Sequence, residues 1–122
     1  MKSEIKLRQL LRIIKANPEG FTIDLNGKPI KANKGYMVGI TNNKINKDNL
    51  RSGVLKLLNS LYLFSNKVYI GGWYDQEKEV YYLDISLHIK PKAEALFLAQ
   101  TFNQISIYNL KNQECVKSGC KI

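Results

Sequence analysis

Three polar side chains of the kind that hydrolytic enzymes use alternate along the predicted strand Val80–Ile89. Asp84, Ser86 and the single histidine, His88, would point to the same face of that strand. Consecutive members of such a series lie about 7 Å apart, whereas a nucleophile and its base must lie within hydrogen-bonding distance. We therefore predict no catalytic triad, and interpret the stripe as a solvated sheet surface or as one wall of a ligand pocket.

The two cysteines offer no metal centre. Cys115 and Cys120 have no second cysteine pair, and His88 has no neighbouring ligand in the sequence. We predict no catalytic residue, no metal and no cofactor. Both cysteines fall in the last eight residues, outside every patterned segment, which favours a reducing compartment, the cytoplasm. What the two thiols do is left open.

Glycines interrupt one of the predicted strands. Gly71 and Gly72 come just before the only tryptophan, Trp73. Glycine inside a strand accompanies either a bulge or the close approach of a ligand or another backbone. Both interpretations stay open.

A second candidate motif, Arg51-Ser52-Gly53, lies in the first turn of a predicted helix that Asp48 is placed to cap. Free backbone N–H groups in a first helical turn attract anions, and Arg51 is suited to bind a phosphate. The alternative is an ordinary solvent-exposed helix start. No phosphate-binding loop or dinucleotide fingerprint is present in the sequence.

Large aromatic rings are concentrated on the predicted strands. Alternation places Tyr69 and Trp73 on one face of their strand and Tyr74 on the other. Such rings are usually core or interface anchors, and on a sheet they can also stack on a base. Because a monomer of this size would leave one set of rings uncovered, we expect a homo-oligomer.

Hydrophobic periodicity and turn residues predict the elements that position these groups. Antiparallel hairpins packed with three helices make an α+β fold, which we expect to form a single small ligand-binding domain over residues 1–110. The predicted elements are helix 3–17 capped by Ser3, strands 21–25, 28–30 and 35–40, a polar loop 41–47, a helix from Asp48 to about Ser65, strands 68–74 and 80–89, a helix from Pro91 to Phe102, strand 105–110 and a frayed polar tail 111–122.

The charge of the chain is strongly positive and unevenly distributed. The formal net charge is +9, and residues 1–60 carry 12 basic and 4 acidic side chains. A concentrated positive field attracts polyanions or phosphorylated small molecules. Lysine, asparagine and isoleucine are all abundant, however, which AT-rich coding also produces. We therefore regard nucleic acid as an unlikely partner, and no apolar run is long enough to span a membrane.

Several short strings together resemble a known family. Ile70–Asp75, Tyr82–Ser86, Ala95 with Ala99, and Asn103–Ile107 are similar to a pattern of the Thoeris anti-defence family, the nucleotide-sponge proteins of phages and prophages. The resemblance spans roughly residues 20–110. It implies a non-enzymatic protein that binds and sequesters glycocyclic ADP-ribose, the signal made by TIR proteins, so that the downstream effector stays inactive. It also implies homo-oligomers, dimers that can assemble into hexamers, and in some members a separate site for cyclic dinucleotides or trinucleotides.

The residues offer the groups that such a ligand needs. Trp73 or Tyr74 would stack on the adenine, and the segment Arg51–Gly53, with Ser52 in it, would hold the diphosphate. The ribose hydroxyls would bind Asp84, Asn103 and Gln104.

Two further hypotheses remain beside sequestration. The first is a basic phage counter-defence protein that binds nucleic acid or blocks a nucleic-acid-guided nuclease through the lysines between Lys28 and Lys56. The second is a small enzyme acting on a nucleotide, with Asp84 and His88 as base and acid. Recovery of an intact ligand would argue against the enzyme, and salt-insensitive binding would argue against the polyanion binder.

Overall fold

The computed structural model describes residues 5–64, 67–104, 106–112 and 114–117. Within this part of the chain no helix is long and apolar enough to cross a bilayer. Short 3₁₀ turns lie on either side of the second helix, at Lys47–Asn49 and Leu61–Leu63. In chain order the helices and strands are α1 (Leu7–Ala16), β1 (Phe21–Ile23), β2 (Tyr36–Gly39), β3 (Asn43–Asn46), α2 (Leu50–Ser60), β4 (Val68–Asp75), β5 (Val80–Ile89), α3 (Lys92–Thr101), β6 (Ser106–Asn109) and β7 (Glu114–Lys117).

The strands form one antiparallel sheet around β5. The order across the sheet is β1-β4-β5-β2-β6-β7, and β3 also pairs with β5. One edge of β5 pairs with β4 along its length, while its other edge pairs first with β3 and then with β2. Between β3 and β2, the hydroxyl of Thr41 accepts a hydrogen bond from the Ile85 N–H (2.9 Å). Three helices and an antiparallel sheet confirm the predicted α+β class.

The main core lies between the sheet and the first two helices. Leu10 of α1 and Val54 of α2 are fully buried against Ile70, Leu83 and Ile85 of the central strands. These residues recur at helical spacing on the helices and alternate along the strands, so each element presents one apolar face. Burying side chains of this size contributes about 1.5–3 kcal/mol each.

The third helix packs on the same side of the sheet. Val38 of β2 and Ala95 of α3 belong to a second buried cluster, and Val38 lies opposite Leu87, which shares its face of β5 with the main core. We call this side the helical face. The opposite side, which carries Trp73 and Asp84, is covered by none of the described helices, and we call it the open face.

The segment 41–47 differs from the predicted polar loop. Asn43–Asn46 form β3, and Ile45 is the one buried side chain in it. A single apolar residue among Asn and Lys gives no alternating signal, so the sequence pattern could not reveal the strand.

Asp48 does not cap the helix that follows. The side chain of Asn46 instead accepts a hydrogen bond from the Asp48 backbone N–H (2.9 Å), which begins the 3₁₀ turn. α2 then starts at Leu50, after Asn49, whose side chain makes no capping bond. The additional turn therefore places the Asp48 carboxylate ahead of the helix rather than at its N-cap.

Two predicted boundaries also change. α1 begins at Leu7, and the predicted cap Ser3 lies outside the described residues. The return strand predicted over Lys28–Ile30 is reduced to one bridge between Ile23 and Pro29, because proline has no N–H to donate to a longer ladder.

The predicted frayed tail is wrong for part of its length. Glu114–Lys117 form β7, which pairs with β6, and Val116 packs against the second cluster. The hairpin covers an edge of β6 that would otherwise present unpaired backbone groups. The final residues, 118–122, lie outside the described part of the chain.

Candidate functional site

An aromatic pair dominates one end of the open face. Trp73 on β4 lies directly opposite Tyr82 on β5. Their rings are stacked, with centroids 4.7 Å apart and planes inclined by 19°. Trp73 remains 47% exposed, which leaves aromatic surface available to a flat ligand. Lys44 of β3 is exposed and lies opposite Tyr82 on the strand edge away from Trp73. Trp73, Tyr82 and the cationic Lys44 are therefore consecutive neighbours across the sheet.

A carboxylate occupies the centre of the open face. Asp84 is the next residue after Tyr82 on this face of β5 and lies opposite Gly71 of β4. A Cβ at Gly71 would stand 2.9 Å from Oδ1 of Asp84, and a Cβ at Gly39 would stand 3.2 Å from Oδ2. Two glycines on the neighbouring strands therefore make the recess that the carboxyl group occupies. The side chain of Gln104 borders the same recess, since its Oε1 would lie 3.4 Å from the Gly39 Cβ.

The recess changes the acid–base properties of Asp84. Burial raises its pKa to about 6, and a hydrogen bond from the Gly71 backbone N–H lowers it only in part. Among the described residues no Lys or Arg forms an ion pair with Asp84. A partly buried carboxylate without a cation costs stability, and such groups are concentrated at functional sites.

The two consecutive glycines do not form a bulge. The register of β4 with β5 and with β1 runs without interruption through both positions. Gly71 makes room for Asp84 on the open face, whereas a Cβ at Gly72 would lie 2.5 Å from a methyl group of Leu83 on the helical face. Of the two interpretations left open by the sequence, the bulge is wrong. The close approach is made by side chains and backbone carbonyls of the neighbouring strands.

Tyr74 lies on the other side of the sheet from Trp73. It is paired with Tyr81, with ring centroids 4.5 Å apart. Its backbone N–H donates to the Pro18 carbonyl (2.8 Å), at the chain segment that follows α1. Of the two rings predicted to stack on a ligand, only Trp73 is therefore on the open face.

The segment Arg51–Gly53 is also remote from Asp84. It lies on α2, which packs against the helical face. Gly53 allows close helix–strand packing, because a Cβ there would stand 2.6 Å from Cδ1 of Ile45, and the Ser52 hydroxyl donates to the Asn49 carbonyl (3.0 Å). Arg51 borders a shallow depression beside Tyr81. The eight predicted ligand-binding residues thus separate onto two sides of the sheet.

The remaining predicted pair follows α3. Asn103 has a positive φ of 55° and ends the helical turn, with its backbone N–H donating to the Gln100 carbonyl (3.2 Å). It is exposed, whereas Gln104 is partly buried. Of the predicted residues, Trp73 and Asp84 therefore lie on the open face and Gln104 borders the Asp84 recess, whereas Asn103 belongs to the turn that ends α3.

The groups that could do hydrolytic chemistry are not brought together. His88 lies four residues beyond Asp84 on β5, about 13 Å along the strand, and its Nε2 is hydrogen-bonded to the Lys34 carbonyl (2.7 Å). Ser86, between them, is only 6% exposed. No group of three His, Cys, Asp or Glu side chains able to hold a metal occurs in the described part of the chain. Cys120 and the side chain of Cys115 lie outside it.

The ligand-binding residues predicted from the sequence do not include Lys44, Tyr82 and Gly39, although alternation along β5 places Tyr82 on the same face as Asp84. Each depends on strand register: Lys44 and Tyr82 become neighbours only through the pairing of β3 with β5, and Gly39 approaches Asp84 from β2. Local alternation along one strand contains no such information. Comparisons with protein-family models, with curated proteins and with solved structures found no match.

Proposed function

We propose that the protein binds a nucleotide on its open face and holds it without chemical turnover. The observation that carries this proposal is the exposed Trp73–Tyr82 stack beside the Asp84 recess. An aromatic surface next to a small set of convergent polar groups is the usual composition of a small-molecule site.

The aromatic pair supplies the binding surface for a base. Stacking of one base on an aromatic side chain contributes about 1–3 kcal/mol. Trp73 offers the larger free surface for stacking, because 47% of it is exposed while one face of its ring rests on Tyr82. A ring held in this way has little conformational freedom to lose when a ligand binds.

The polar groups supply orientation and charge. Asp84, the next residue after Tyr82 on this face, and Gln104, beyond it at Gly39, offer hydrogen-bonding atoms. Lys44 offers a cation on the far side of Tyr82. We assign the phosphate contact to Lys44 rather than to Arg51, because Arg51 lies on the side of the sheet where α2 packs.

The resemblance of the sequence to the Thoeris anti-defence family supplies the identity of the ligand in this proposal. The nucleotide is then glycocyclic ADP-ribose made by TIR proteins, and the protein is a phage or prophage sponge that keeps the immune effector inactive. Cyclic oligonucleotides are the other ligand class that the resemblance suggests. The proposal includes a homo-oligomer in the host cytoplasm, for which the exposed Phe97, Phe102 and Tyr108 give apolar contact surface.

The test is recovery of the ligand itself. The purified protein is incubated with a lysate in which a TIR enzyme has been activated, then washed and heat-denatured, and the released molecules are identified by mass spectrometry. We expect unmodified glycocyclic ADP-ribose in an amount stoichiometric with the protein. Trp73→Ala should release far less, and Arg51→Ala, on the other side of the sheet, should release as much as the wild type.

Two outcomes would contradict the proposal. An empty protein, with a flow-through that still activates the effector, would exclude sequestration. Release of a cleaved product in place of the intact signal would indicate an enzyme, and Asp84 would then be the first residue to substitute.

A second candidate function uses the same aromatic pair. Stacked rings on a sheet next to a lysine also suit single-stranded nucleic acid, and the net charge of +9 favours a polyanion. Such binding must weaken steeply with salt, because each neutralised phosphate releases counterions. Capture of a single nucleotide that persists at high salt would favour nucleotide sequestration over binding of nucleic acid.

A further inference from the structure

We infer that Asp84 binds the ligand as the neutral acid and thereby selects an adenine edge, in which a ring nitrogen acceptor adjoins an exocyclic amino group. This inference rests on the proposed nucleotide-binding function and adds to it the residue that determines base specificity. It also adds a proton that is bound together with the ligand.

The geometry of the recess favours a neutral carboxyl group. Asp84 lies between Gly71 and Gly39 on the neighbouring strands, without an ion-pair partner among the described residues. Trp73 and Gly71 lie two residues apart on the same face of β4, so a ligand that contacts both the aromatic pair and the recess would remove water from the carboxyl group. Removal of water disfavours the charged form of a carboxyl group further.

A neutral carboxyl group has one donor and one acceptor side by side. Adenine presents the complement, N1 as acceptor and the amino group as donor, so both hydrogen bonds form at once. Guanine presents two adjacent donors at the corresponding edge and would instead need the ionised carboxylate. Asp84 in its recess therefore discriminates between the two purines through its protonation state.

The charged and titratable groups around Asp84 do not replace this role. On the open face β4 contributes Tyr69 and Asp75, β3 contributes Lys44, and β5 contributes Tyr82 and His88. Asp75 lies beyond Trp73, at the end of the strand, and its Oδ1 accepts hydrogen bonds from backbone N–H groups of the following turn. The Nε2 of His88 is engaged by the Lys34 carbonyl (2.7 Å). β2 contributes Met37 and Gly39, β6 contributes Tyr108, and β1 contributes Thr22.

The test measures the affinity of the intact protein for glycocyclic ADP-ribose at several pH values between about 5 and 8, by isothermal titration calorimetry. With a free-state pKa of about 6, the neutral fraction falls from about one half at pH 6 to about 1% at pH 8, so the apparent affinity should fall about 50-fold. Neither adenine nor a diphosphate ester titrates in this interval.

Two variants separate a binding role from a structural one. Asp84→Asn carries a donor and an acceptor at every pH, so its affinity should be independent of pH and should exceed that of the wild type at pH 8. Asp48→Asn makes the same chemical change at an exposed position outside the site, and it should keep the wild-type pH profile. A merely structural role would make Asp84→Asn weaker at all pH values.

A second ligand tests the contact with the base. In the cyclic ADP-ribose isomer whose ring closes through adenine N1, this nitrogen cannot accept a hydrogen bond, so the isomer should bind at least tenfold more weakly. Equal binding of both isomers, or a wild-type affinity that does not change with pH, would overturn the role of Asp84 while nucleotide binding stands. Failure of glycocyclic ADP-ribose to bind at any pH would overturn the proposed function itself.

Discussion

Asp84 of β5 and Gly71 of β4 lie opposite each other, and the Cβ that Gly71 lacks would stand 2.9 Å from Oδ1 of Asp84. Real Cβ atoms essentially never approach another atom so closely. The carboxyl group in its present position thus requires a glycine across the strand pair. A substitution of either residue therefore changes the surroundings of the other.

Replacement of Asp84 by Asn should stabilise the protein at neutral pH. Because burial raises the Asp84 pKa from 3.8 to about 6, the folded protein between these values holds a proton that the unfolded chain has lost. The free energy of unfolding therefore falls as pH rises between these two values. Above them the ionised carboxylate lowers the free energy of unfolding by on the order of 2–3 kcal/mol. Urea unfolding should show the variant more stable than wild type at pH 7 and equal to it below about pH 4. If Asp84→Asn were less stable than wild type at pH 7, the folded protein could not contain an ionised, unpaired Asp84 carboxylate at that pH.

Gly71→Ala should destabilise the fold by about 1–3 kcal/mol, since the added methyl group overlaps the Asp84 carboxyl. Removing that carboxyl in Asp84→Ala should relieve much of the overlap. A double-mutant cycle by urea unfolding should give a favourable coupling of about 1 kcal/mol between the two substitutions. Strict additivity would mean that the Phe21 carbonyl, 3.3 Å from the same Cβ position, is the obstacle.

Gly53→Ala tests the structural role assigned to the helix glycine. Alanine normally stabilises a helix interior by about 1 kcal/mol relative to glycine, but here its Cβ would lie 2.6 Å from Cδ1 of Ile45. We expect net destabilisation of about 1–3 kcal/mol, measured as a lower unfolding midpoint. In an Ile45→Ala background the sign should reverse. If Gly53→Ala stabilised the wild-type protein, Ile45 of β3 would have to move away and make room for the new methyl group.

Lys44→Ala and Arg51→Ala distinguish the two sides of the sheet as phosphate sites. Lys44 lies beside Tyr82 on the open face, so its removal should weaken nucleotide binding about three- to tenfold, with a smaller effect at high salt. Arg51 borders a depression next to Tyr81, and its removal should leave the affinity unchanged. A larger loss of affinity in Arg51→Ala than in Lys44→Ala would instead indicate that the diphosphate binds at the first turn of α2. Calorimetric titration with glycocyclic ADP-ribose measures both.

The regular elements with strong periodicity were predictable from the sequence. β5 has the predicted bounds, Val80–Ile89, and α3 begins directly after the predicted Pro91. β3 and β7 were not predictable, because Ile45 and Val116 are isolated apolar residues in polar surroundings. Both strands form because a neighbouring strand, β5 or β6, offers an edge to pair with, and that is a tertiary effect.

The candidate site was predictable only in part, for a related reason. Trp73, Asp84 and Gln104 were identified by residue type; the first two lie on the open face, and Gln104 borders the Asp84 recess. Residue type alone also favours Tyr74 for the same ligand, although Tyr74 follows Trp73 directly and must point to the other face of the strand. Residue type favours Arg51 as well, because the sequence does not say on which side of a sheet a helix packs.

The emission of Trp73 reports on the central claim most directly, since it is the only tryptophan in the chain and lies in the proposed site. The measurement is a titration of the purified protein with glycocyclic ADP-ribose at about pH 6, close to the Asp84 pKa. Stacking of adenine on the indole should give saturable quenching that ends at one ligand per site and persists at high salt. Emission that is unchanged by the ligand, together with no heat of binding in calorimetry, would contradict nucleotide binding on the open face.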